Sequence, residues 1–150
     1  MKRLVASASI VILEPKSLFY YKLQGAQQMN LVVYGTLKRG LSNHGFLLGA
    51  RCVGKDILHN IVLYDLGDFP GAQFEPSLGI HVEVYDVTDS ELAVVDRLEE
   101  CNEEMPDHGL FRREQCNTSF GPAWIYLYNG PLGGLPQITT GSWRPAVCIS

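Results

Sequence analysis

Between Gly79 and Val87 apolar and polar positions alternate. Ile80, Val82 and Val84 point one way, and His81, Glu83 and Tyr85 point the other. This is the two-residue period of a strand. Asn30 to Tyr34 (NLVVY) is a short apolar run that predicts another strand, broken by the turn-forming stretch Gly35 to Gly40. Ser42 or Asn43 can cap a short helix reaching Leu48. A second apolar run predicts a strand over Ile57 to Tyr64, and Gly67 to Pro76, rich in Gly and Pro, predicts a loop. Thr88-Asp89-Ser90-Glu91 has the S/T-x-x-E form of a capping box and opens a helix expected to run to about Glu100. Leu110 to Gln115 and Ala123 to Tyr128 predict two further strands, separated by turn residues Asn117 to Pro122. Trp124, Tyr126 and Tyr128 share one face of the last strand. From Gly130 the chain is Gly/Pro-rich and irregular. The pattern as a whole predicts an α+β fold: a mostly antiparallel sheet or small mixed β-barrel with a few helices.

The 150 residues fit one domain, and 46% hydrophobic residues suffice for a core. The first 28 residues stand apart. Met1-Lys2-Arg3 precedes an apolar run from Leu4 to Leu13, which meets Glu14-Pro15-Lys16 with no small-x-small cleavage site after it. The run is too short to span a bilayer. Met29 stands directly before the first strand. Residues 1–28 read as an N-terminal extension or an early start, and 29–150 as the single domain.

The net charge is -4, and no basic run is longer than a pair such as Lys38-Arg39 or Arg112-Arg113. A nucleic-acid binder shows a basic stripe, which this chain lacks. Cys52, Cys101, Cys116 and Cys148 are scattered, without C-x-x-C spacing. They suit a reducing, cytoplasmic compartment and neither a zinc site nor a disulfide scaffold. His44, His59, His81 and His108 are scattered as well. No H-E-x-x-H, G-x-S-x-G or Walker A pattern is present, so no metal, Ser/His/Asp or nucleotide site is assigned. His44 and His81 remain as histidines near a site or as structural hydrogen-bonders.

Chemistry concentrates at two places. With 100° per residue and Leu92 at zero, Val95 falls at about 300°, Leu98 at about 240° and Glu99 at about 340°. Glu99 therefore sits inside the apolar stripe, whereas Glu100, near 80°, lies outside it. A carboxylate there loses water and becomes a better base near neutral pH. The competing reading is a helix-end Glu that bends to solvent or pairs with Arg113, and periodicity leaves the two open. The second place is Tyr34-Gly35-Thr36-Leu37. A strand ending in Gly can turn successive N–H groups into one space, where they can hold a carboxylate or an oxyanion.

Taken in order, VYGTLKRG (33–40), VEVYDV (82–87), VDRLEEC (95–101), GLFRRE (109–114) and AWIYLYNG (123–130) resemble the γ-glutamylcyclotransferase-like family. The first and third runs look most like its γ-glutamylamine cyclotransferase branch. The resemblance implies a small mixed α/β barrel. It implies a γ-glutamyl pocket built on the backbone of Tyr34, Gly35, Thr36 and Leu37, with Glu99 as catalytic glutamate and Tyr126 brought to the pocket. Phe111 stands where many relatives carry Tyr, and the segment Glu103 to His108 is longer than usual.

The implied reaction is an internal aminolysis. The α-amino group of a γ-glutamyl compound attacks its own γ-carbonyl, and 5-oxoproline and an amine or amino acid leave. The nucleophile is tethered, so the enzyme needs a base and an oxyanion site, and no metal, nucleotide or flavin. The implied partner is a small γ-glutamyl substrate, with neither nucleic acid nor membrane; the pattern carries no oligomeric state. Two alternatives remain from the sequence: an amidase-like step on a γ-glutamyl-tagged metabolite, and a catalytically idle ligand-binding or interaction domain on the same scaffold.

Overall fold

A computed structural model describes residues 28–145. The expected N-terminal extension lies outside the described residues except for Gln28, as does Cys148. The elements are β1 (Gln28–Val33), β2 (Arg51–Leu58), β3 (Ile61–Asp65), β4 (Pro70–Phe74), β5 (Ile80–Thr88), helix α1 (Asp89–Leu98), β6 (Phe111–Thr118) and β7 (Gly121–Tyr128). Short 3₁₀ turns cover His44–Leu47 and Pro106–His108. The strands form one mixed sheet in the order β2-β5-β1-β7-β4-β3, with β6 on β7. This is the α+β architecture expected from the pattern, a sheet curled into a half-barrel with one helix packed on its other face. Among the described residues no helix is long and apolar enough to cross a membrane.

β1 shows why the sheet is covered on both sides. Leu31 and Val33 pack with Tyr85, Val87, Tyr126 and the α1 residues Leu92 and Val95. Val32 and Tyr34 pack into the curl, against Leu63, Ala72, Val82, Val84, Ile125 and Trp143. An unbroken apolar run is what a strand buried on both faces requires. The same double burial claims Tyr85, which alternation alone had placed on the polar face of β5.

Three expectations are corrected. The predicted strand over Ile57 to Tyr64 is two strands, β2 and β3, with His59 and Asn60 between them. An apolar run does not show where a chain reverses, and here β2 pairs with β5 while β3 pairs with β4. The predicted loop Gly67 to Pro76 contains β4. Pro70 opens that strand and Gly71 lies where a Cβ would be 2.7 Å from Tyr128 Cβ, so both punctuating residues serve packing rather than a turn. The helix expected over 42–48 is only one 3₁₀ turn.

α1 begins as predicted. Thr88 accepts from the Glu91 amide (3.2 Å), and the Glu91 carboxylate accepts from the Thr88 amide (2.9 Å). It ends two residues early, in a Schellman turn: the Cys101 amide donates to Asp96 (2.8 Å) and the Glu100 amide to Arg97 (3.2 Å). Glu100 takes the left-handed position of that turn (φ 53°), a place usually held by Gly. Its carbonyl then accepts from Leu110 N–H (2.9 Å), and Cys101 bridges to Phe111. The helix end is thereby stitched to the start of β6.

Candidate active site

β1 and β4 both run parallel to β7 along the same edge, β1 at Leu31↔Trp124 and β4 at Ala72↔Leu127. After Val33 the chain must leave the sheet, because β4 takes its place. Tyr34 to Leu37 lie at this split. The Tyr34 hydroxyl donates to the Tyr126 carbonyl (2.6 Å) and accepts from the Ala72 amide (3.3 Å). One phenol thus supplies hydrogen bonds that the diverging strands cannot give each other, and backbone groups buried there stay satisfied.

A cavity of about 250 Å³ opens at the split. All six residues singled out from the sequence line it: Tyr34, Gly35, Thr36, Leu37, Glu99 and Tyr126. Phe69, Pro70, Leu98, Leu110 and Phe111 give it apolar walls. Phe111 packs edge-on to Tyr128 at 5.7 Å and tilted against Phe69 at 6.0 Å.

The loop is held by its carbonyls. Gly35 C=O accepts from Lys38 N–H (3.0 Å), Thr36 C=O from Asn43 N–H (2.8 Å), and Leu37 C=O is 2.9 Å from His44 Nδ1. Among the described residues the amides of Gly35, Thr36 and Leu37 have no acceptor. Gly35 is required for a reason other than the backbone conformation expected of it. It is not among the positive-φ glycines, but a Cβ there would sit 2.7 Å from Pro70 Cγ. His44 therefore braces the loop from behind, and His81 faces a different groove.

Glu99 is the last residue of the helix end, one step before the left-handed turn, and the turn aims it at the cavity. It is partly buried, and burial pushes its carboxyl up to about 7. Among the described residues it has neither a hydrogen bond to its carboxyl nor an ion pair. The Arg113 that sequence offered as its partner is taken. Its guanidinium grips Asp96 in two bonds (2.8 and 3.1 Å), reaches Glu103, and lies 4.4 Å over the Trp124 ring. Tyr126 donates its hydroxyl to Asp96 (2.6 Å), so it lines the cavity with its ring and its phenolic proton is engaged. Burial, then the Glu99 charge, raise the Tyr34 phenol well above its usual range, so it stays neutral.

The Asp96–Arg113–Tyr126 lock was not visible in the sequence. Its members are far apart in the chain, and Asp96 looks like any polar helix residue. Pro70 was hidden in the stretch read as loop. In sum, a partly buried carboxyl without a partner sits in one cavity with a loop of unpaired amides, and a second acid is clamped behind the wall. The cavity thus brings together an acid–base group and a set of hydrogen-bond donors.

The chain belongs to the gamma-glutamyl cyclotransferase, AIG2-like family, whose family model matches residues 31–145. It is 38% identical over 112 residues to a putative gamma-glutamylcyclotransferase of Vibrio cholerae, covering 74% of this chain and 91% of that one. It is 35% identical over 105 residues to the gamma-L-glutamyl-butirosin B gamma-glutamyl cyclotransferase of Niallia circulans, covering 67% of each. The solution structure of ytfP from Escherichia coli superposes with a TM-score of 0.61 at 34% identity, covering 77% of this chain and 96% of that one.

Proposed function

We propose that the chain catalyses the internal aminolysis of a γ-glutamyl compound, releasing 5-oxoproline and an amine or amino acid, with Glu99 as the general base. The observation that carries this reading is the Glu99 carboxyl raised to about 7 in the cavity that holds the free loop amides. Family membership supports a cyclotransferase-type reaction.

A free α-ammonium has a pKa of about 8. Ionised Glu99, near 7, is closely matched to take its proton, which is the condition for efficient general-base transfer. The neutral amine then attacks the γ-carbonyl within the same molecule, so no covalent intermediate with the enzyme is needed. The developing oxyanion accepts from the amides of Gly35, Thr36 and Leu37. As the γ-amide C–N bond breaks, protonated Glu99 returns its proton to the leaving nitrogen. One C–N bond forms and one breaks; the α-nitrogen gives up two protons, one before attack and one from the tetrahedral adduct, and the departing amine takes up two and leaves as an ammonium, so the reaction consumes neither water nor a cofactor. Tyr34 and Tyr126 act in this reading as walls that shape the pocket.

A cavity of about 250 Å³ has room for the glutamyl part of such a substrate, with the loop amides to hold its oxygens. The Niallia circulans relative is named for a gamma-L-glutamyl-butirosin B substrate. The test is a panel of γ-glutamyl amines and γ-glutamyl amino acids assayed for 5-oxoproline. Release from at least one class supports the reading, and no release from any, by a folded chain, removes it in favour of an idle binding domain.

A further inference from the structure

We infer that a groove beside the Tyr34–Leu37 loop is a second binding site, for a small molecule bearing phosphate or carboxylate groups. The groove has a volume of about 940 Å³ and shares no lining residue with the Glu99 cavity. It opens where β1 has ended. The pairing of β1 with β5 stops at Val33↔Glu83, and beyond it the His81 amide donates to the Gly141 carbonyl (2.8 Å) of the C-terminal segment. That segment straps over the sheet, with the Asp65 amide bonded to Pro136 and the Ile138 amide to Leu63, both at 2.8 Å.

Four cations line the groove: Lys38 and Arg39 just after the cavity loop, Lys55 from β2, and Arg144 from the end of the strap. Such a gathering is unexpected in a chain of net charge -4. Among the described residues none of the four is in a salt bridge; the basic side chains that are so engaged are Arg51, Arg112 and Arg113. Three carboxylates share the groove, but each is already held by uncharged donors. Asp56 accepts from Ser119 and Ile57, Asp65 from the Gly67 amide, and Glu83 from the Arg39 amide and the Tyr85 hydroxyl.

The unbalanced end is where the strap meets the loop. Lys38 Nζ donates to Ser142 Oγ (3.1 Å), and among the described residues its other protons have no acceptor. Burial lowers the Lys38 pKa, and the Arg144 charge pushes the same way against the pull of Glu83. Trp143 lines the same end, is 3% exposed, and among the described residues its indole N–H has no acceptor. An oxyanion at this end gives acceptors to the Lys38 ammonium and the Arg144 guanidinium fork together, and Trp143, which lines the same end, reports its arrival. The inference does not depend on the Glu99 reading.

The test uses the full chain, titrated with pyrophosphate and with citrate while the indole N–H resonances of Trp124 and Trp143 are followed by NMR and the heat by calorimetry. The expected result is saturable one-to-one binding of at least one probe, weakened by added salt, with the Trp143 signal shifted. Arg144→Gln and Lys38→Met should each weaken it at least tenfold, and Glu99→Gln should leave it unchanged. Arg144 is exposed, so its replacement leaves the fold intact and keeps the comparison clean. Absence of saturable binding, parent-like affinity in both Arg144→Gln and Lys38→Met, or loss of binding in Glu99→Gln alone overturns the inference.

Discussion

Replacing Glu99 with Gln separates the two consequences of placing a carboxyl in the cavity. Gln keeps the shape but cannot take a proton near neutral pH. The first consequence is on stability. The folded value of about 7 lies above the ordinary 4.5. Between these values the unfolded chain has lost the proton and the folded chain has kept it, so parent stability falls as pH rises from about 4.5 to about 7 and is level above. At about 1.4 kcal/mol per pH unit the full effect is about 3 kcal/mol, an upper figure because Glu99 keeps some solvent contact. Glu99→Gln has no such slope. Above pH 7.5 it should be the more stable protein by up to about 3 kcal/mol, or about 10 °C in Tm for a chain of this size, and the advantage should vanish near pH 4. The second consequence is on turnover: kcat should fall by roughly two to four decades while substrate still binds, and the rise of parent activity through pH 7 should disappear. Glu100→Gln, exposed on the left-handed residue, should keep parent turnover. Chemical denaturation at several pH values and 5-oxoproline release provide the two readouts. If parent and Glu99→Gln unfold alike from pH 4 to 8, the carboxyl is solvated and the argument for its basicity fails. If Glu100→Gln is the dead variant, the residue aimed at the cavity has been misassigned.

Gly35→Val should abolish turnover in a chain that still folds, because its side chain meets Pro70; circular dichroism and kcat/KM decide it, and normal kcat/KM would remove the loop from the site. Glu100→Gly should stabilise the protein by about 1 kcal/mol in urea unfolding, since Gly fits the left-handed turn that Glu occupies under strain; an unchanged or lower midpoint would mean that the turn carries no strain. Turnover should persist in strong chelator, because the aminolysis needs only a base and amide donors, and loss that one added divalent ion restores would overturn the mechanism. A chain begun at Met29 should unfold cooperatively and remain active, and absence of a thermal transition would assign residues 1–28 to the fold.

The sequence by itself determined whatever depends on neighbours along the chain. The capping box at Thr88, the alternation of Ile80, Val82 and Val84, and the β6–β7 pair follow from local periods and local hydrogen bonds. Periodicity also placed Glu99 on the apolar side of α1, and the five ordered motifs carried the family. The tertiary structure decided what depends on distant partners. Whether Glu99 would pair with Arg113 could not be read from the helix, because the answer lies with Asp96 and Glu103, which claim that guanidinium first. The split of the run at His59 and Asn60 was hidden because Leu58 and Ile61 on either side of it are both buried and apolar, although their strands pair with different partners. Pro70 looked like a loop residue until β4 was seen to take over the edge of β7 where β1 leaves it. The cavity itself exists only because two parallel strands share that edge in succession, and strand succession is a property of long-range pairing, to which no local pattern is sensitive.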